Sequence, residues 1–179
     1  MLTYSVGVND ANPNSRRRVR TFKRAIADIS IVGRVAIGAV SLQRYCVARG
    51  IQHYEVDRLI EYCFEFTTIT DPIVWANLTP PLASSCVELP DDLAHSIGKD
   101  HVEEFNTLRR EVMSIAYCDF FAGVSDASRR HLLAVFQILI HAGVPLPDVE
   151  AFKVSAFAER GGWGNPVSPD TLSSWRSLA

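Results

Sequence analysis

The chain has 179 residues, 47% of them apolar and 21% charged, with 20 acidic against 18 basic side chains and a net charge of −2. A chain of this length fits one domain and buries about 70% of its unfolded surface, enough for a core without disulfide or metal staples. Near-neutral charge gives no global field toward nucleic acid or an anionic membrane, and the composition excludes disordered and fibrous classes.

Met1 to Asp10 carry no basic segment and no long apolar run, so no secretory leader is expected and the cytoplasm is the expected compartment. Residues 1–14 read as irregular, with a short strand at Leu2–Val8 and a turn at Asn9, Asp10, Asn12 and Pro13. Asn14 or Ser15 can cap a first helix whose Val19, Phe22, Ile26 and Ile29 share a face, and Asp28 to Ser30 interrupt it. A second helix is predicted over Ile31–Arg49, ended by Gly50 in the left-handed conformation. Gly33 and Gly38 lower its intrinsic propensity by about 1 kcal/mol each relative to alanine, so packing must hold it, and they admit a close neighbour. The most apolar stretch of the chain, Ile29 to Val47, is broken by Arg34 and Arg44, which argues against a membrane span.

Over residues 55–66, Val56, Leu59, Ile60, Cys63 and Phe64 follow the spacing of an amphipathic helix. Thr67, Thr68 and Thr70 favour an exit, Asp71 caps a short helix through Trp75 to Asn77, and Thr79-Pro80-Pro81 stops it. Residues 79–90 form a loop, and Pro90-Asp91-Asp92 starts another short helix. From Asp100 to Phe121, a buried stripe runs through Val102, Phe105, Leu108, Val112, Ile115 and Ala116. Gly123 stops that helix, and Ser125 caps the next, Asp126–Ala142, whose core face holds Leu132, Val135, Phe136 and Leu139. His141, Gly143 and Pro145 are stop signals, and short helices are expected from Pro147 and over Pro169–Arg176. The expected fold is all-α: a compact multi-helix single domain over 1–179 with short connecting loops, closed by a loop and short helix over 157–179.

Chemistry-bearing residues are scattered. Cys46, Cys63, Cys86 and Cys118 form no C-x-x-C pair, so no metal site is expected, and Cys46, Cys63 and Cys118, each after a tyrosine in an apolar helical pattern, read as buried free thiols. His53, His95, His101, His131 and His141 form no H-E-x-x-H pattern, and His131 and His141 do not share a helix face. Ser84-Ser85-Cys86 has no nucleophile-elbow context. Gly161-Gly162-Trp163-Gly164 lacks the preceding strand and following Lys-Ser or Lys-Thr of a phosphate cradle; it reads as a tight turn that lets Trp163 pack. No catalytic residue, cofactor or enzymatic activity is expected.

Two charge features remain. Arg16, Arg17, Arg18, Arg20, Lys23 and Arg24 could grip phosphates, although no aromatic platform beyond Phe22 and no recognition helix accompany them. Asp57, Glu61 and Glu65 recur every four residues opposite the apolar stripe, with Glu55 beside them and Arg58 as their relief. Like charges at that spacing destabilise a helix by a few tenths of a kcal/mol per pair, so the stripe reads either as a docking surface for a basic partner or as an ordinary solvated helix face. Nothing in the pattern predicts the burial that would make Glu61 and Glu65 an acid–base pair.

The block Pro145-Leu146-Pro147-Asp148, Phe152-Lys153, Phe157 and Gly162-Trp163-Gly164-Asn165-Pro166 resembles one found in a group of small helical bacterial proteins. A second likeness lies at Glu65-Phe66, Thr70-Asp71 and Trp75. Several proteins of this group resemble immunity or antitoxin partners of secreted toxins. The resemblance implies a cytoplasmic binding protein without cofactor and carries over no catalytic residue or partner contact. The Arg-rich segment 16–24 is not expected of the group. The expected function is therefore a non-enzymatic protein-binding module that neutralises a bacterial toxin by occlusion, with a basic nuclease-type domain suiting Asp57, Glu61 and Glu65. The alternative is a nucleic-acid-binding regulator using segment 16–24.

Overall fold

The computed structural model describes residues 21–84, 87–120 and 123–179. Its α-helices are α1 (Ile31–Arg49), α2 (Tyr54–Phe66), α3 (Pro72–Ala76), α4 (Asp91–Ile97), α5 (Val102–Tyr117), α6 (Ala127–His141) and α7 (Pro169–Arg176). Tight 3-10 turns lie at Pro81–Ala83, Val149–Phe152 and Glu159–Gly162, and residues 21–25 are also helical. Among the described residues, β structure is confined to one antiparallel bridge, Ile29 to Ala156. The class is all-α, as the periodicity predicts. The strand expected at Leu2–Val8, the caps Asn14 and Ser15, Arg16 to Arg20, and Cys86 lie outside the described residues.

Helix α1 has no polar face over its first three turns, and every residue from Ile31 to Leu42 is buried. A helix apolar all round must be surrounded. Here α2, α5, α6, α7 and the Val149–Phe152 turn pack around it. Its length and mean hydropathy of 1.2 also meet the requirement for a membrane span, but 78% of that stretch is covered by the rest of the protein. Gly38 sets the approach of α5: a Cβ there would lie 2.9 Å from Ile115 Cδ1.

Burying the start of α1 isolates its first N–H groups, which have no partner within the helix. The C-terminal block supplies them. Val32 N–H donates to the Trp163 carbonyl at 3.0 Å, and Ser30 N–H to the Ser155 carbonyl at 2.9 Å. Ser30 Oγ accepts from Gly33 N–H at 3.2 Å and shares a hydrogen bond of 2.6 Å with Ser155 Oγ. Phe157 N–H donates to the Asp28 carbonyl at 2.7 Å. The glycine run is thus the tight turn expected, and it closes on the N-terminus of the central helix. Trp163 is half-buried, with its ring 5.8 Å from that of Phe120.

Two buried cations tie the periphery to this core. Arg34 donates to Ser128 Oγ at 2.8 Å and to the carbonyls of Ala27 at 3.1 Å and Ile26 at 3.3 Å. Burial brings its guanidinium pKa down to about 10, so it stays charged at neutral pH. Arg109 donates to the carbonyls of Leu82 at 2.8 Å, Ser84 at 2.9 Å and Val87 at 2.7 Å, fixing the loop before α4. Ser125 serves the start of α6 as expected, accepting from Ala127 N–H at 3.0 Å, although the helix begins at Ala127. Cys46 and Cys63 are buried free thiols; Cys118, expected to be buried with them, is half-buried.

Candidate partner-binding face

Helix α2 turns Val56, Leu59, Ile60, Cys63 and Phe64 inward. His53 caps it, its Nδ1 accepting from Glu55 N–H at 3.2 Å. With that face fixed in the core, Asp57, Glu61 and Glu65 stand exposed along the outer face, one turn apart, as their spacing requires. Among the described residues, Asp57 and Glu65 form no ion pair.

Two details of the expected stripe are corrected. Glu55 does not stand beside the three: it is 7% exposed. It precedes Leu59 by four residues and Tyr62 by seven, so it shares their inward side, where the positive helix start favours its charge. Arg58 lies 3.7 Å from Glu55 and is not the relief of the outer stripe. That relief is Arg176 of α7, whose Nη2 pairs with Glu61 Oε1. Arg176 and Glu61 are 115 residues apart, beyond the reach of any local pattern.

Tyr54, which sequence reading passed over, is 63% exposed on the same outer side. Its offsets of three and seven residues from Asp57 and Glu61 are the signal that could have found it. Its ring stacks 4.9 Å from that of His53. The outer face of α2 therefore joins an amphipathic aromatic ring to three carboxylates.

Beside this face, α1, α2 and α7 enclose a cleft of about 230 Å³ lined by Gln43, Asp57, Ile60, Glu61, Phe64 and Arg176. The Arg176 guanidinium carbon lies 5.5 Å from the Phe64 ring centroid. The field of Asp57 reaches through to α1: burial, and then the Asp57 charge, push the Cys46 thiol up to about 12.

Titratable pairs also form elsewhere, between separate elements. His131 Nδ1 meets Glu111 Oε2 at 2.8 Å between α5 and α6. His53 Nε2 lies 3.2 Å from Asp92 Oδ2 and holds that carboxyl below the usual range. Tyr45 donates to Glu104 Oε1 at 2.7 Å; burial first, and then this bond, raise its pKa. Among the described residues, no three His, Cys, Asp or Glu side chains gather as a metal-binding group. Ile73, Val74 and Leu78 form an exposed apolar edge at α3, at 65%, 58% and 66% exposure. Of the Arg-rich segment, Lys23 and Arg24 are described, and both are exposed. No protein-family model, curated protein or solved structure matches the chain.

Proposed function

We propose that this chain is a non-enzymatic protein-binding module that captures a basic partner, in the manner of an immunity protein masking a bacterial toxin domain in the cytoplasm. The observation that carries this reading is the outer face of α2, where exposed Asp57, Glu61 and Glu65 are mounted with Tyr54 on a helix whose other side is locked into the core. Asp57 and Glu65 break no internal ion pair on binding. Their charges steer a cationic surface into register and speed encounter, and Tyr54 supplies rigid contact area at low entropic cost. Neutralisation follows from coverage: a toxin surface held against α2 is closed to its substrate. The resemblance of the C-terminal block to a group of small helical bacterial proteins, several of which resemble immunity or antitoxin proteins, supports the same reading. That block holds the start of α1.

The reading is tested by immobilising the wild-type chain and the variant D57K/E61K/E65K and passing a lysate of the source cells over both. A basic protein retained by the wild type, released by salt and absent from the variant is the expected result. Equal retention on both baits contradicts the reading. Exposed Lys23 and Arg24 support the alternative of nucleic-acid binding. Capture of nucleic acid, lost when Arg16, Arg17, Arg18 and Arg20 become alanine, would favour that alternative.

A further inference from the structure

The geometry points to the cleft between α1, α2 and α7 as a receptor for a single arginine side chain of the partner, which takes the place that Arg176 now occupies over Phe64. This deepens the partner-binding reading and rests on it for the partner being a protein.

The walls and floor of the cleft match a guanidinium. Asp57 and Glu61 stand one helical turn apart, so both carboxylates can reach one planar fork of N–H donors. Phe64 and Ile60 form an apolar floor, and an aromatic face under a delocalised cation is a favourable pairing. Gln43 adds an amide from α1. About 230 Å³ stays open with Arg176 as one wall, so turning Arg176 out leaves room for one arginine side chain in its place.

Arg176 is an internal stand-in for the ligand. Its guanidinium already lies over Phe64 and against Glu61, which demonstrates the fit of that group. It is nonetheless 42% exposed and leaves Asp57 without a counter-ion, so the cleft holds two carboxylates and one cation. Helix α7 does not depend on that contact. Trp175, 1% exposed, anchors it by donating from Nε1 to the Ala151 carbonyl at 3.0 Å and packing 5.2 Å from the Phe152 ring. Arg176 can therefore turn out to solvent while α7 stays docked. Lysine is the poorer occupant, because a strongly hydrated ammonium neither stacks on Phe64 nor spans two carboxylates in a plane.

The test is an amide-resolved NMR titration with N-acetyl-arginine methylamide, with the lysine and citrulline analogues as comparators. The expected result is shifts at Gln43, Asp57 and Glu61 with the arginine probe, weaker ones with lysine, and none with neutral citrulline. R176A removes the internal competitor and should bind the arginine probe about fivefold more tightly, the equivalent of releasing one exposed ion pair. D57N should bind it more weakly than the wild type. If R176A loses the dispersed spectrum of the wild type, R176K carries the comparison: charge without the planar fork should also tighten binding of the probe. No tightening in the folded variant, or equal shifts with citrulline, overturns the proposal. Arginine binding without capture of any basic protein would sink the neutralisation reading and leave the cleft standing. Charge-sensitive capture without preference for the arginine probe would do the reverse.

Discussion

At Gly164 a single methyl group decides how the chain closes. The residue sits at φ 84°, and a Cβ would lie 2.2 Å from Ser30 Oγ and 2.8 Å from Ser155 Oγ. Both groups are buried and already bonded to one another, so neither can give way without unpairing the start of α1. Gly50 has a similar backbone at φ 65° but nothing within 4 Å of its missing Cβ. The pair separates conformational strain from collision. Gly50→Ala should cost about 1 kcal/mol, the left-handed penalty alone. Gly164→Ala should cost about 3 kcal/mol or more, because overpacking adds to that penalty. Urea denaturation of both variants measures the difference; equal midpoints would mean that Ser30 and Ser155 yield freely. Sequence marked Gly164 as a turn residue and could not mark it as the tighter position, because its crowding comes from Ser30, far away in the chain.

Between elements, the account turns on how buried helix ends find partners. Gly50 marked the end of α1 and Pro169 the start of α7 in the sequence, whereas the caps Ser30 and Ser168, which accept from Gly33 and Thr171 N–H, were not read. The role of the C-terminal block was legible only in part. Aromatics and glycines identify a closing loop, but the Val32 to Trp163 hydrogen bond pairs backbone groups that leave no mark on side-chain pattern. Arg34 was read as a break in an apolar run; it is 2% exposed and gathers residues 26–27, α1 and α6 through three bonds. Arg34→Met fills the space but leaves two carbonyls and the Ser128 hydroxyl without their donor. It should destabilise the fold by about 3 kcal/mol, since bonds to a charged group are strong and their buried partners cannot turn to water. Arg34→Lys should recover part of that loss. Chemical denaturation reads both, and a loss under 1 kcal/mol for the methionine variant would remove Arg34 from the list of organising contacts.

The same distinction between local pattern and distant contact runs through the candidate site. Asp57, Glu61 and Glu65 were legible because they share a period with α2 itself. Glu55 was misplaced because one position of rotation separates the outer stripe from the core edge. Arg176 and the cleft were invisible, since they form only when the last helix folds back on the second.

For the molecule as a whole, one core encloses α1, and the surrounding helices share it. Under the proposed reading, partner binding falls to exterior surfaces. Among the described residues, the acidic face of α2 competes with the apolar edge Ile73, Val74 and Leu78 at α3 and with the exposed cations Lys23 and Arg24. The α2 face is favoured because it joins charge, an exposed aromatic ring and a cleft on one rigid element. Hydrogen exchange of the chain with and without its captured partner decides among them most directly. The account predicts new protection over residues 54–65 and at the end of α7, with residues 21–25 and α3 unchanged. Protection confined to α3 or to residues 21–25, with 54–65 exchanging as in the free chain, would contradict it.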